Sequence, residues 1–235
     1  AEFEHGGYRV NQISGVMVDL PQFLTDRHRI VDEKSLRRYI SRLNEFARVI
    51  SEVRVRVMDD RDQGTVPPDF IIEKVLVGMR AFSDGPVEEN PLVATLASRL
   101  DPLDNIAEAT KMALTKEAQE AVSSQIIPQY HNMIALFEEM LLTSSHDAGV
   151  WRLPQGEAIY NNALRSNTTT NMSADDVHQL GLAEVARIQL EMNDILMSLG
   201  MTEGSILSRV QQLMVMPEHN FANTEEGRAE QIAYL

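Results

Sequence analysis

Apolar residues recur along most of this chain at intervals of three and four. From Leu36 they run Leu36, Ile40, Leu43, Ala47, Ile50, Val53 and Val57, the stripe that one face of an α-helix requires. Asp32 and Glu33 suit its first turn, where exposed N–H groups favour negative charge. At 1.5 Å per residue the helix would span about 40 Å and stop in the polar run Asp59-Asp60-Arg61-Asp62-Gln63-Gly64. A second helix is expected from Thr65-Val66-Pro67-Pro68, because proline is tolerated where N–H groups have no intrahelical partner. Phe70, Ile71, Val75, Met79 and Phe82 line it, and Ser83-Asp84-Gly85-Pro86 ends it. A short helix follows at Leu92–Leu100, closed by Asp101-Pro102. Residues 105–124 read as a helix of middling apolarity, and Ile126, Tyr130, Met133, Ile134, Phe137, Met140 and Leu141 mark a strong one. Pro128 cannot donate to residue 124, so it either opens a new helix or kinks one long one.

Thr143–Gly149 reads as a loop, and Trp151-Arg152-Leu153-Pro154-Gln155-Gly156 is the one segment expected to run extended. Helix resumes at Glu157. Ser173-Ala174-Asp175-Asp176 has the form of a capping box. Val177, Gly181, Val185, Ile188, Met192, Ile195 and Leu199 then follow at steps of four and three, with Gly200 as the C-cap. Ser205–Val215 is helical, and a last helix opens at Asn223-Thr224-Glu225-Glu226 and is still running at Leu235, so the chain is expected to end inside an element. The pattern predicts an all-α fold, a bundle or array of roughly eight helices with at most one short hairpin. It forms a single helical region over 1–235, with a point of sub-division at 143–156.

Composition adds bounds. Hydrophobic content of 43% with 24% charged residues is that of an ordinary globular chain. No apolar run is long enough to cross a bilayer. Neither an initiating Met nor a basic-plus-apolar leader is present, and Ala1-Glu2-Phe3-Glu4 reads as the start of a mature or trimmed chain. With no cysteine, disulfides and thiolate chemistry are excluded. A net charge of −14 argues against nucleic acid as a partner, since phosphate binding needs a concentrated cationic surface. That charge is uneven: Arg27–Arg61 holds ten Lys/Arg against six Asp/Glu, leaving −18 on the remainder. A solvated helix face explains this segment most simply. The sharper reading is a cationic patch for an anionic partner or a peptide carboxylate.

The chain holds no complete catalytic set. Its six histidines (His5, His28, His131, His146, His178, His219) are dispersed, with no HExxH and no i, i+4 pair to clasp a metal. His131 with Glu138, and His178 with Glu184, would each need a distant third ligand. Asp60-Arg61-Asp62 fails as a calcium loop, because Gly64 and Ile71 stand where carboxylates belong. Twelve methionines, several clustered from Met192 to Met216, are best read as core filler. Asn167-Thr168-Thr169 and Asn171-Met172-Ser173 match the glycosylation sequon but coincide with a helix joint and cap. One composite remains: Trp151, Leu153, Pro154, Gly156 and Tyr160. A glycine before a helix permits a tight turn or close approach by a ligand, and Tyr160 presents a hydroxyl one turn later. Taken alone, these residues favour a packed loop with an aromatic anchor.

Four segments carry a resemblance to a known family. They are YRVNQISGVMVDLPQFL (Tyr8–Leu24), GTVPPDFIIEKVL (Gly64–Leu76), IIPQYHNMIALFEE (Ile126–Glu139) and WRLPQGEAIYNNALRSNTTTNMSADDVHQLGLAEVARI (Trp151–Ile188). Together they resemble the bacterial domain of unknown function 885 family, whose members look like zincin-type metallopeptidases. The resemblance implies an N-terminal portion of a larger protein, one wall of a substrate cleft, inactive alone. The zinc, its activated water and the general base would sit on an HEA-x-PGH-like helix absent from this sequence, so no metal ligand and no catalytic residue is expected here. It points to Gly156, Tyr160 and His178 as substrate-binding, to a peptide substrate or the protein's own C-terminal half as partner, and to an exported, periplasmic or lipid-anchored location. The rival reading is a non-enzymatic helical domain that binds a protein or peptide.

Overall fold

The computed structural model describes residues 8–217 and 220–234. His5, His219 and Leu235 lie outside them. Every regular element among the described residues is helical: α1 (Val16–Gln22), α2 (Glu33–Asp62), α3 (Asp69–Ser83), α4 (Pro91–Leu100), α5 (Glu108–Ala121), α6 (Ile127–Leu141), α7 (Gly156–Thr168), α8 (Ala174–Ser198), α9 (Ile206–Val215) and α10 (Glu225–Tyr234). The chain forms two compact units, residues 1–162 and 163–235, with the boundary inside α7.

The first unit is built on α2. Asp32 caps it by accepting from the Ser35 N–H at 2.7 Å, and the Ser35 hydroxyl closes the box. The helix runs thirty residues because no proline or glycine interrupts it before Gly64, which adopts φ +85° beyond its end. Leu36, Tyr39, Ile40, Leu43, Phe46 and Ile50 are buried along one face, each such side chain contributing about 1.5–3 kcal/mol. α1, α5 and α6 cover that face; α3 packs on α6, and α4 on α5.

Long-range side chains tie off the helix ends that this packing buries. Tyr39 donates to the Leu92 carbonyl at 2.6 Å and Tyr130 to that of Met17 at 2.9 Å; burial pushes both phenols well above their ordinary range. Arg99 donates to the carbonyls of Leu24 and His28 after α1. Asn90 caps α4 through Leu92 N–H and reaches back to the Phe82 carbonyl near the end of α3. Such bonds matter because a buried donor or acceptor left unpaired costs about 1–3 kcal/mol.

One open alternative is decided and one expectation changes. Pro128 stands in the first turn of α6, and α5 runs on into it through a wide turn at Val122–Ile126, where Ile127 donates to the Val122 carbonyl. Proline removes a donor and clashes with the turn before it, and a wider turn absorbs both effects. The Ser123 hydroxyl bonds the Gln119 carbonyl at 2.7 Å and that of Ser124 bonds Glu120, holding the preceding turn. The segment Trp151–Gly156 is not extended. Val150–Arg152 is a 3₁₀ turn, so among the described residues no hairpin forms. The turn at 105–107 is likewise non-helical, with Asn105 donating its side-chain amide to the Val31 carbonyl.

In the second unit Ser173 caps α8 as a capping box, its hydroxyl accepting from Asp176 N–H at 3.1 Å. The Ser173 hydroxyl and N–H in turn donate to the Asp176 carboxylate at 2.7 and 3.0 Å, which holds it below its usual range. Gly200 ends the helix at φ +76°. Arg209 of α9 is buried and binds Asn193 Oδ1 at 2.7 Å and the Met201 carbonyl at 3.0 Å, fixing the α8–α9 corner.

His28 gives the first unit a pH dependence. Its ring is buried, meets the Ser35 carbonyl through Nε2 at 3.0 Å, and receives Arg42 at Nδ1. Burial, with Arg42 next among the charges, lowers its pKa below 6.5. The folded state therefore binds fewer protons than the unfolded one, and stability falls as pH drops below about 6.5 toward the depressed folded value. The urea midpoint is expected to decrease between pH 7.5 and 5.5, and His28→Gln to flatten that decrease.

Candidate functional site

The turn leading into α7 is assembled from contacts that are remote in sequence. Arg152 donates to the Tyr8 hydroxyl at 2.6 Å and to the Val66 carbonyl, anchoring the 3₁₀ turn against the α2–α3 connection. Pro154 lies beside Gly64, where an added Cβ would sit 3.4 Å from the ring. Leu153 is buried. Asp147 holds the outer side, accepting from Gly149 N–H at 2.9 Å and from Trp151 Nε1 at 3.1 Å. The Trp151 ring lies over Gly149 yet remains 75% exposed.

Gln155 turns the chain with φ +58°, a left-handed conformation unusual for a residue with a side chain. Gly156 follows, buried. An added Cβ there would lie 2.0 Å from the Val150 carbonyl oxygen. The close approach that the missing side chain permits is thus made by the chain's own backbone. Tyr160 stands one turn further along α7 and is 47% exposed, placed by this turn but without a side-chain hydrogen bond among the described residues.

Gly156 and Tyr160 belong together, one helical turn apart in the first unit. His178 belongs to the second unit, in the first turns of α8, and its ring is exposed. Several of the other residues considered for chemistry have structural partners. Asp60 pairs with Arg9 at 2.6 Å, Glu138 with Arg80 at 2.5 Å, and Glu184 with Arg187 at 2.7 Å. Asn167 bonds the Ala163 carbonyl. Among the described residues no group of three or more His, Cys, Asp or Glu lies close enough to hold a metal, and no helix is long and apolar enough to cross a membrane.

Arg152 escaped the sequence reading because its partners lie 144 and 86 residues away. His146, paired with Asp69 at 2.8 Å and edge-on to Phe70 at 5.4 Å, escaped for the same reason. The second unit carries a different feature. Val185, Ile188, Ile195 and Leu199, four positions of the predicted α8 stripe, are each between 44% and 60% exposed, while only Leu196 of the helix is buried.

Gly156→Ala is expected to open the Val150–Gly156 turn and destabilise the protein by roughly 1–3 kcal/mol, as forced overpacking does. Tyr160→Phe should leave stability within about 0.5 kcal/mol, as at other surface positions. Urea titration of both variants distinguishes a packing glycine from a solvent-facing hydroxyl.

No curated protein matches the chain. Among solved structures it is similar to the putative lipoprotein from Colwellia psychrerythraea, with 27% identity and a TM-score of 0.83. The match covers 97% of this chain and 39% of that one, so the chain spans well under half the length of the solved relative. The family model for the bacterial protein of unknown function DUF885 matches residues 1–235. On that match the chain belongs to the DUF885 family.

Proposed function

We propose that this chain is the helical N-terminal part of a larger zinc-dependent peptidase of zincin type, forming one wall of the substrate cleft and inactive alone. The uncovered apolar stripe of α8 is the observation that carries this reading. A long amphipathic helix gains its stability by burying its apolar face, and exposed contiguous apolar surface marks a place where another polypeptide packs. The 39% coverage of the solved relative supports a remaining segment as the covering partner, and the relative's description as a lipoprotein supports an exported, lipid-anchored location.

No ligand cluster for zinc occurs among the described residues. Zinc, water activation and general base therefore fall to the remaining segment in this proposal. What this chain supplies is positioning. Gly156 keeps the turn tight beneath Tyr160; the Tyr160 hydroxyl and the His178 ring, both exposed, hydrogen-bond the peptide substrate. Donors aimed at substrate oxygen accelerate acyl transfer without touching the metal.

Expression with the coding sequence that follows Leu235 provides the test. The longer protein is expected to bind one zinc and hydrolyse peptides, with kcat/KM lowered roughly tenfold or more by Tyr160→Phe or His178→Ala, the loss of one substrate hydrogen bond. Val185→Asp combined with Ile188→Asp should weaken association with the remaining segment expressed separately. A reading frame that stops near Leu235, together with a defined partner on pull-down, would instead identify a helical binding domain. Full activity of both site variants would remove the cleft role.

A further inference from the structure

Two depressions follow one another along the first half of α2 and meet at Ser41. One is a cavity of about 290 Å³ whose walls are mainly apolar, from Leu20, Phe23, Leu24, Phe46 and Val49. The other is shallow and bears Lys34, Arg37 and Arg38 together with Glu33. Lys34, Arg38, Ser41 and Glu45 fall at steps of four and three, on one helical face. Arg42 stands at the junction, its guanidinium 5.1 Å from the centre of the Phe23 ring and in contact with Nδ1 of His28.

The charge balance of this strip is cationic. Glu33 is paired with Arg37 at 2.7 Å and Glu45 with Arg48 at 2.7 Å. Lys34 and Arg38 have no ion-pair partner among the described residues. The strip lies within Arg27–Arg61, where ten Lys/Arg stand against six Asp/Glu on a chain of net −14. A local excess of cations attracts anions.

The walls also discriminate between kinds of anion. They are helical, and the N–H and C=O groups of the α2 interior are spent within the helix. The Leu24 carbonyl beside the cavity is taken by Arg99 at 3.1 Å. An extended peptide seeks backbone donors and acceptors and finds none. An aliphatic chain needs none, gains by entering the cavity, and leaves its head group at the cations.

We propose that this strip binds a single-chain aliphatic carboxylate, with the tail in the cavity between α1 and α2 and the carboxylate on Arg38 and Lys34 near Ser41. A volume of about 290 Å³ suits one chain rather than the paired chains of a bilayer phospholipid. The ligand is therefore a free aliphatic carboxylate in solution rather than a bilayer lipid.

Calorimetric titration with dodecanoate below its micellar concentration tests this. The expected result is saturable binding of one molecule per chain. Affinity should rise about fourfold for each methylene added from octanoate upward until the cavity is full, the increment for a buried CH₂. Arg38→Glu should weaken binding roughly tenfold, as loss of a charge-assisted contact does. Ser41→Trp should block the junction and remove binding, with unchanged helicity and thermal melting showing that both variants are folded. Dodecyltrimethylammonium should bind more weakly than dodecanoate. Equal binding of the two surfactants, binding unaffected by Ser41→Trp, or sedimentation with phosphatidylglycerol vesicles in the absence of dodecanoate binding would each overturn the proposal.

Discussion

The first unit depends on the burial of one face of α2. A thirty-residue helix gains little from propensity alone, since most helical stability in proteins comes from tertiary packing of the apolar face. α1, α5 and α6 occupy that face. Packing three elements against one stripe brings their ends into the interior, where unpaired carbonyls are costly. Tyr130 and Arg99 answer that constraint at carbonyls far along the chain, Asn90 does so at the nearby Phe82 carbonyl, and Tyr39 satisfies its own buried hydroxyl on Leu92. Removing the stripe would leave these polar side chains without a reason for their positions.

α8 offers an internal contrast. It has the same three-and-four spacing as α2, a comparable length and an equally clear capping box. Yet seven residues of α2 are buried, and one of α8. The second unit holds itself together mainly at the α8–α9 corner, through Leu196 and the buried Arg209. Identical local rules have thus produced one helix that is a core and another whose stripe faces outward. This difference, rather than any cluster of reactive groups, gives the chain its functional reading as part of a larger assembly.

The candidate site shows how far residue types could be read ahead of the structure. Glycine at position 156 announced a tight turn, and a tight turn is there. Its neighbour could have been a ligand or the protein itself; the Val150 carbonyl takes the space. Tyr160 was expected to present a hydroxyl and does. Trp151–Gly156 was the one segment expected to run extended. Arg152 held it folded through contacts with Tyr8 and Val66, which no local pattern encodes.

By itself the sequence determined most of the helices and several of their ends, though not α1 or the start of α5. Apolar spacing, the caps at Asp32 and Ser173, and the glycines at 64 and 200 act within a few residues of one another, so a linear reading captures them. Tertiary structure alone decided which stripes are covered, how the Pro128 helix stays continuous, and which carbonyls the buried tyrosines and Arg99 reach. It also placed Gly156 and Tyr160 in one compact unit and His178 in another. The physical reason is range: helix formation and capping are local, whereas burial and the pairing of buried polar groups depend on partners that only the folded chain brings near.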